Sequence, residues 1–224
     1  MASSKRVRMT GQERREQLVG VARSLFAERG FEATSIEELA ERAGVSKPVV
    51  YQHFGGKEGI YAVVVDREVR YLTASLAQAF EARHPRRIAE SAADAFLTYI
   101  EDHEDGFRVL VRDAPRGMTG SSFASVIADV ATRAEQLLIE EFGDRGFDGD
   151  TAPMYALMLV GAVALVGEWW LENRTQPREV VAAHVVNLLW NGLRGLEPVA
   201  RDRRSSTPGG PQARRDGPAD PSAR

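Results

Sequence analysis

Residues 34–57 read TSIEELAERAGVSKPVVYQHFGGK. The stretch encodes two short helices joined at a glycine. Thr34 is a good N-cap, and Glu37 three residues later completes a capping box. Ile36, Leu39, Ala40 and Ala43 recur at helical spacing and make one face apolar. Gly44 follows the last turn, where a left-handed residue ends a helix, and Val45 plugs the turn. Ser46 caps a second helix with Pro48 in its first turn, where a missing N–H is harmless. In that helix Val50 and Phe54 point inward together at i,i+4. Lys47, Val49, Tyr51, Gln52 and His53 are left facing out. A helix anchored by two residues and wet elsewhere suits the DNA major groove. The alternative is an ordinary helical hairpin with a hydrated face.

The flanks extend this reading. Residues 11–30 put Leu18, Val21, Ala22, Leu25 and Phe26 on one stripe, with Gly30 ending the helix. A third helix is therefore available to support the other two. The run 22–59 resembles the TetR family of bacterial transcriptional repressors. The resemblance is carried by LFAERGF, the T-S-I-x-x-L-A turn, A-G-V-S, the Y-x-H-F end of the second helix and Lys57-Glu58. It is dense over residues 12–65 and thins to architecture beyond about residue 70. Gly55-Gly56 departs from the pattern, since the family often has one bulkier polar residue there, and the departure predicts a looser hinge.

The resemblance implies an all-α protein with three parts. Residues 1–57 form a helix-turn-helix DNA-binding domain with a basic arm, 58–197 a helical ligand-binding and dimerisation domain, and 198–224 a disordered tail. Carried over residue by residue, Lys47, Pro48, Val49 and Gln52 face bases. Thr34, Ser35, Tyr51, His53 and Lys57 hold phosphates, and Ser46 belongs to the same surface. Double-stranded operator DNA, a second copy of the chain and an unknown small-molecule effector are the implied partners. A repressor released from a palindromic operator by that effector is the implied function. A DNA-binding interaction protein governed by a protein partner, with no small-molecule inducer, is the other reading.

Charge agrees with a DNA-facing head. The 224 residues carry a net charge of −3, which alone argues against a nucleic-acid binder. Residues 1–57, however, hold ten Lys/Arg and seven Asp/Glu, a net of +3. Residues 58–197 hold thirteen and twenty-two, a net of −9, and the tail six and three. Lys5, Arg6, Arg8, Arg14 and Arg15 face only Glu13 in the first fifteen residues. They form either an arm for the backbone or minor groove or a solubilising terminus. Without cysteine there is no disulfide or thiol chemistry. No signal peptide is visible, and the longest apolar stretch, 153–167, is shorter than the roughly 20 residues of a bilayer span. A cytoplasmic protein with no membrane partner is expected.

Beyond the head the periodicity predicts helices over 56–83, 86–101, 105–113, 122–142, 152–173 and 178–196, with a polar loop at 143–150. Proline, glycine and arginine after residue 198 cannot bury enough apolar surface to order a tail. The last two helices are apolar nearly all round and need burial on every side. The resemblance implies a two-fold four-helix interface, with Leu157, Gly161, Ala164, Val185 and Leu189 in it; a larger monomeric core is the alternative. No catalytic motif is complete. His103-Glu104 begins H-E-x-x-H, but Phe107 replaces the second histidine. The histidines share no metal spacing, and neither an enzyme nor a cofactor is expected. The resemblance places a small-molecule pocket within residues 85–175. Phe96, Tyr99, Phe107, Phe123, Met158 and Trp169 are candidate linings, each of which also reads as ordinary core. Arg108 and Arg112, at i,i+4, suit an anionic ligand or nearby surface carboxylates.

Overall fold

The computed structural model describes residues 9–82, 84–112 and 122–197. Among them lie nine α-helices, one 3-10 turn and no strand. The basic residues Lys5, Arg6 and Arg8, the last residue of the helix expected over 105–113 and the tail from 198 fall outside the described residues.

Helix α1 (Gly11–Ala33) starts with a full capping box between Thr10 and Glu13 and breaks at Gly30, whose φ is 79°. Helices α2 (Ile36–Arg42) and α3 (Lys47–Phe54) follow. Gly44, at φ 64°, turns the chain between them. The N-cap of α2 is Ser35 rather than Thr34, and Ser35 accepts from the Glu38 N–H. Thr34 is buried and donates to the Gly30 carbonyl at 2.8 Å. The break at Gly30 leaves that carbonyl without a helical partner, so the Thr34 hydroxyl turns inward to meet it. Ser46 is the N-cap of α3, but its side chain makes no capping hydrogen bond.

Helix α4 (Lys57–Ala79) leaves the head, and α5 (Pro85–Asp102) returns alongside it. The short α6 (Glu104–Val111) packs against both α1 and α4. Helix α7 (Phe123–Arg145) runs three residues into the stretch expected as a loop, and Gly146 stops it with φ 72°. Helices α8 (Ala152–Glu172) and α9 (Arg178–Arg194) close the chain. Together with the 3-10 turn before it, α8 spans 24 residues and holds an 18-residue window of mean hydropathy 1.6, long and apolar enough to cross a bilayer. The length argument drawn from 153–167 therefore does not hold. Instead, α8 buries Ala156, Ala164, Gly167, Trp170 and Leu171 against the protein, while its other face is apolar and exposed. Gly167 is needed for that packing, since a Cβ there would lie 2.4 Å from the Phe96 ring.

Three apolar clusters result. The head cluster joins Leu18, Leu25, Phe26, Leu39 and Val50 to Ile60, Tyr61 and Val64 of α4 and to Val109 of α6. Its core thus extends past the boundary expected at residue 57. The body cluster gathers Leu72, Phe96, Ile100, Phe107, Leu110, Phe123 and Trp170. A third packs Leu138 and Phe142 against Ala152 and Ala156 at the far end.

Candidate DNA surface and effector cavity

Only Val50 of α3 is fully buried, and Phe54 is half-buried beneath the Arg15 guanidinium, 4.6 Å from its ring centroid. Ser46, Lys47, Pro48, Tyr51 and Gln52 are exposed on one continuous face, with Val49 and His53 half-buried beside them. Exposed Ser35 borders it, whereas Thr34 is turned away into the core. Lys47 is ion-paired with Glu37 of α2, and that contact holds the Glu37 carboxyl below its usual range. Arg29 pairs with Glu38, and Arg42 with Glu28. Three cations of the described head are therefore held in exposed ion pairs.

Lys57 has a second occupation. Its Nζ donates to the carbonyls of Phe31 and Glu32, at 3.0 and 3.3 Å, and sits 4.3 Å from the Phe31 ring centroid. A cation at the end of α1 suits the unsatisfied carbonyls there. Gly55 caps α3 with φ 74°, donating to the Tyr51 carbonyl at 2.8 Å, and buried Gly56 opens α4. Lys57 thus ties the corner that follows the glycine pair back to the end of α1.

The body contains a cavity of ≈ 180 Å³ walled by α4, α5, α7, α8 and α9. Its lining includes Leu72, Ala89, Ala92, Ala93, Phe96, Phe123, Val130, Val163, Leu189 and Trp190, and no charged side chain. Of the expected lining residues only Phe96 and Phe123 take part. Tyr99 and Phe107 lie just behind them, with Phe107 edge-on to Phe96 at 5.5 Å and to Phe123 at 5.3 Å. Met158 and Trp169 are exposed on the far side of α8. The two arginines tie helices together. Arg108 pairs with Glu104 and with Glu172 of α8, and Arg112 donates to the Phe26 carbonyl of α1 at 3.4 Å. Arg108 is half-buried in the middle of α6 and Arg112 is exposed just beyond its end, and neither lines the cavity.

The expected interface residues divide. Leu157 is exposed, Gly161 partly so, but Ala164 and Val185 are buried within the body cluster and Leu189 is a cavity wall. The outward faces instead show Met154, Leu157, Met158, Leu165 and Trp169 on α8 and Val180 and Leu188 on α9, with Leu165 67% and Leu188 72% exposed. Glu168 lies in this apolar strip, and desolvation raises its pKa.

At the junction of head and body lies a group that sequence reasoning passed over. Glu68 of α4 is 1% exposed. Its Oε2 accepts from the Tyr99 hydroxyl at 3.0 Å, and its Oε1 lies 3.5 Å from Nη1 of Arg23 on α1. Burial, followed by the nearby Glu68 carboxylate, pushes the Tyr99 phenol far up. The signal was available: Ile60, Val64, Glu68, Leu72 and Leu76 form one i,i+4 row, and only Glu68 is charged.

Comparison with known proteins follows the same division. Residues 18–64 match the profile of bacterial regulatory proteins of the tetR family, and 85–192 match the tetracyclin repressor-like C-terminal domain. The HTH-type transcriptional activator FasR of Mycolicibacterium smegmatis is 33% identical over 189 residues, 83% of this chain and 85% of that protein. A TetR-like transcriptional regulator from Rhodococcus sp. RHA1 superposes with a TM-score of 0.67 at 25% identity, over 84% of this chain and all of that one. The fatty acid degradation regulator FadR from Bacillus halodurans shares the fold, with a TM-score of 0.64 at 17% identity over 81% and 96% of the two chains.

Two substitutions separate structure from reading. Lys57→Ala is expected to lower head stability by about 1–2 kcal/mol, because two carbonyls lose a charged donor. Gln52→Ala, on an exposed face, should stay within about 0.5 kcal/mol of the parent. Urea denaturation of the two variants checks both.

Proposed function

Because this chain belongs to the tetR family of bacterial regulatory proteins, and is a DNA-binding transcriptional regulator rather than an enzyme, we propose that it answers to an apolar effector. The observation that carries this is the uncharged cavity, whose walls Phe96 and Phe123 touch Phe107 of α6. A buried apolar lining rejects ionised groups and favours hydrocarbon. An acyl chain meets that requirement. The likeness to FadR shows the fold alone.

The DNA-bound form is a two-fold dimer that sets two α3 helices in successive major grooves. Lys47, Pro48, Val49 and Gln52 read bases, and Ser35, Tyr51, His53 and Lys57 hold phosphates. Thr34 acts from beneath by fixing the break before α2. Gln52→Ala is then a loss of about 1–3 kcal/mol of discrimination at one position per half-site. Filling the cavity re-angles the head through α6 and releases a palindromic operator. Whether release turns a gene on or off depends on where the operator lies relative to the promoter. FasR is named an activator, and for this chain a repressor is proposed.

The two-fold mate covers Leu157, Met158, Leu165 and Leu188. Leu157→Glu or Leu188→Glu should halve the mass seen by light scattering and leave each protomer folded, because an unpaired charge enters the shared face only. Val185→Glu should unfold the protomer. A parent chain that is monomeric at micromolar concentration contradicts the dimer.

The effector reading is tested by operator anisotropy against saturated fatty acids of increasing chain length, kept below their micelle concentrations. About 3 kcal/mol of preference for the wrong head angle weakens operator binding roughly a hundredfold. Ala92→Phe, which narrows the cavity, should abolish the response of the longer chains first. Unchanged operator affinity across the whole series counts against the assignment.

A further inference from the structure

Glu68 is a buried carboxylate in a row that is otherwise apolar. Stability does not explain it. A buried ion pair replaced by hydrocarbon of similar size is often as stable or more so. The pair is also not closed for strength. Arg23 and Glu68 stand at 3.5 Å, and Arg23 Nε and Glu68 Oε1 are buried with no hydrogen-bond partner among the described residues.

What the arrangement does have is position. Arg23 comes from α1, the spine of the reading head. Tyr99 comes from α5, whose Phe96 walls the cavity. Glu68 joins them from α4, the helix shared by both parts. His103, at the α5–α6 corner, brings Nδ1 to 4.0 Å and stacks on the Tyr99 ring. The α6 backbone lies against the carboxylate, for a Cβ on Gly106 would come 2.1 Å from Oε2. Four helices thus meet on one anion. Other polar ties cross the same junction, including Arg67 with Glu16 and Ser24 with Asp105. The Arg67–Glu16 pair is exposed and water-screened, whereas the Glu68 charge is not.

We infer that the Arg23–Glu68 pair is the positioning contact that sets the angle of the DNA-reading head on the effector-binding body. Tyr99 fixes the carboxylate from the body side, and Arg23 is the handle by which the head is held. The inference goes beyond the effector reading, because it concerns the resting angle and holds for any occupant of the cavity.

The chain has no cysteine, so spin labels can be placed without background. Gly20→Cys on α1 and Asp129→Cys on α7 are both exposed sites. The doubly labelled full chain is diluted into excess unlabelled chain, and the intrachain distance is read by pulsed electron resonance. The parent should give one narrow distribution. Arg23→Gln should broaden or shift it, and Arg23→Lys, which keeps the charge, should restore it. Glu68→Gln, which keeps the shape against Gly106, should behave as Arg23→Gln does. Arg23 is partly exposed, so its variants report even where Glu68→Gln fails to fold. An unchanged distribution in Arg23→Gln overturns the inference. So does a change in Arg23→Gln that Arg23→Lys fails to reverse, or one seen only with loss of helical circular dichroism. No DNA and no effector enter the measurement, so its failure leaves the effector reading standing.

Discussion

Helix α6 has to satisfy two hydrophobic cores with eight residues. Val109 is buried in the head cluster, while Phe107 and Leu110 are buried in the body cluster. Its last turn reaches α1 through Arg112, and Arg108 reaches α8. A helix fixed on both sides cannot shift against one core without disturbing the other, because protein interiors are close-packed. That constraint ties the two cores together through one short helix. The body wall that bounds the cavity, Phe96 and Phe123, touches Phe107, which lies two residues from Val109. Cavity wall and head core are thus joined through a few side-chain contacts of α6.

The electrostatic layout follows a similar economy of parts. The head is net positive, yet Arg29, Arg42 and Lys47 are each held by a carboxylate on the same surface. Such pairs contribute little to stability, about 0–1 kcal/mol each. They keep long cationic side chains ordered near the recognition face. The pair at Glu68 differs in kind because water is excluded from it. Its contribution is to geometry, and removing one partner would strand the other.

Much of this was legible in the sequence. The head is written by local signals: the Gly44 turn, the Val50 and Phe54 anchors, and the polar face between them. These act over a few residues, so pattern reading captures them. The N-cap of α2 was misplaced by one residue because Thr34 and Ser35 are both competent caps. The Gly30 break, a feature of the preceding helix, decides between them. In the body, large apolar residues were the natural candidates for a ligand site, yet Met158 and Trp169 face outward. The cavity is made instead by what is small, Ala89, Ala92 and Ala93 on the inner face of α5. Small residues leave room without announcing it, and only the approach of α7, α8 and α9 turns that room into a cavity. Likewise α8 and α9 were read as too apolar for one protomer's surface, and both leave large apolar side chains exposed. Which of their faces remains bare depends on long-range packing, so Ala164 and Val185 were assigned to the wrong side.

The central claim is that cavity and reading head share one equilibrium. Thermodynamic linkage makes that claim testable from the ligand side. Calorimetric titration of a saturated fatty acid into the protein, alone and saturated with its operator, measures it most directly. The account expects the fatty acid to bind more weakly to the operator complex, by the same factor that it weakens operator binding. Equal affinity for the free and operator-bound protein would contradict it.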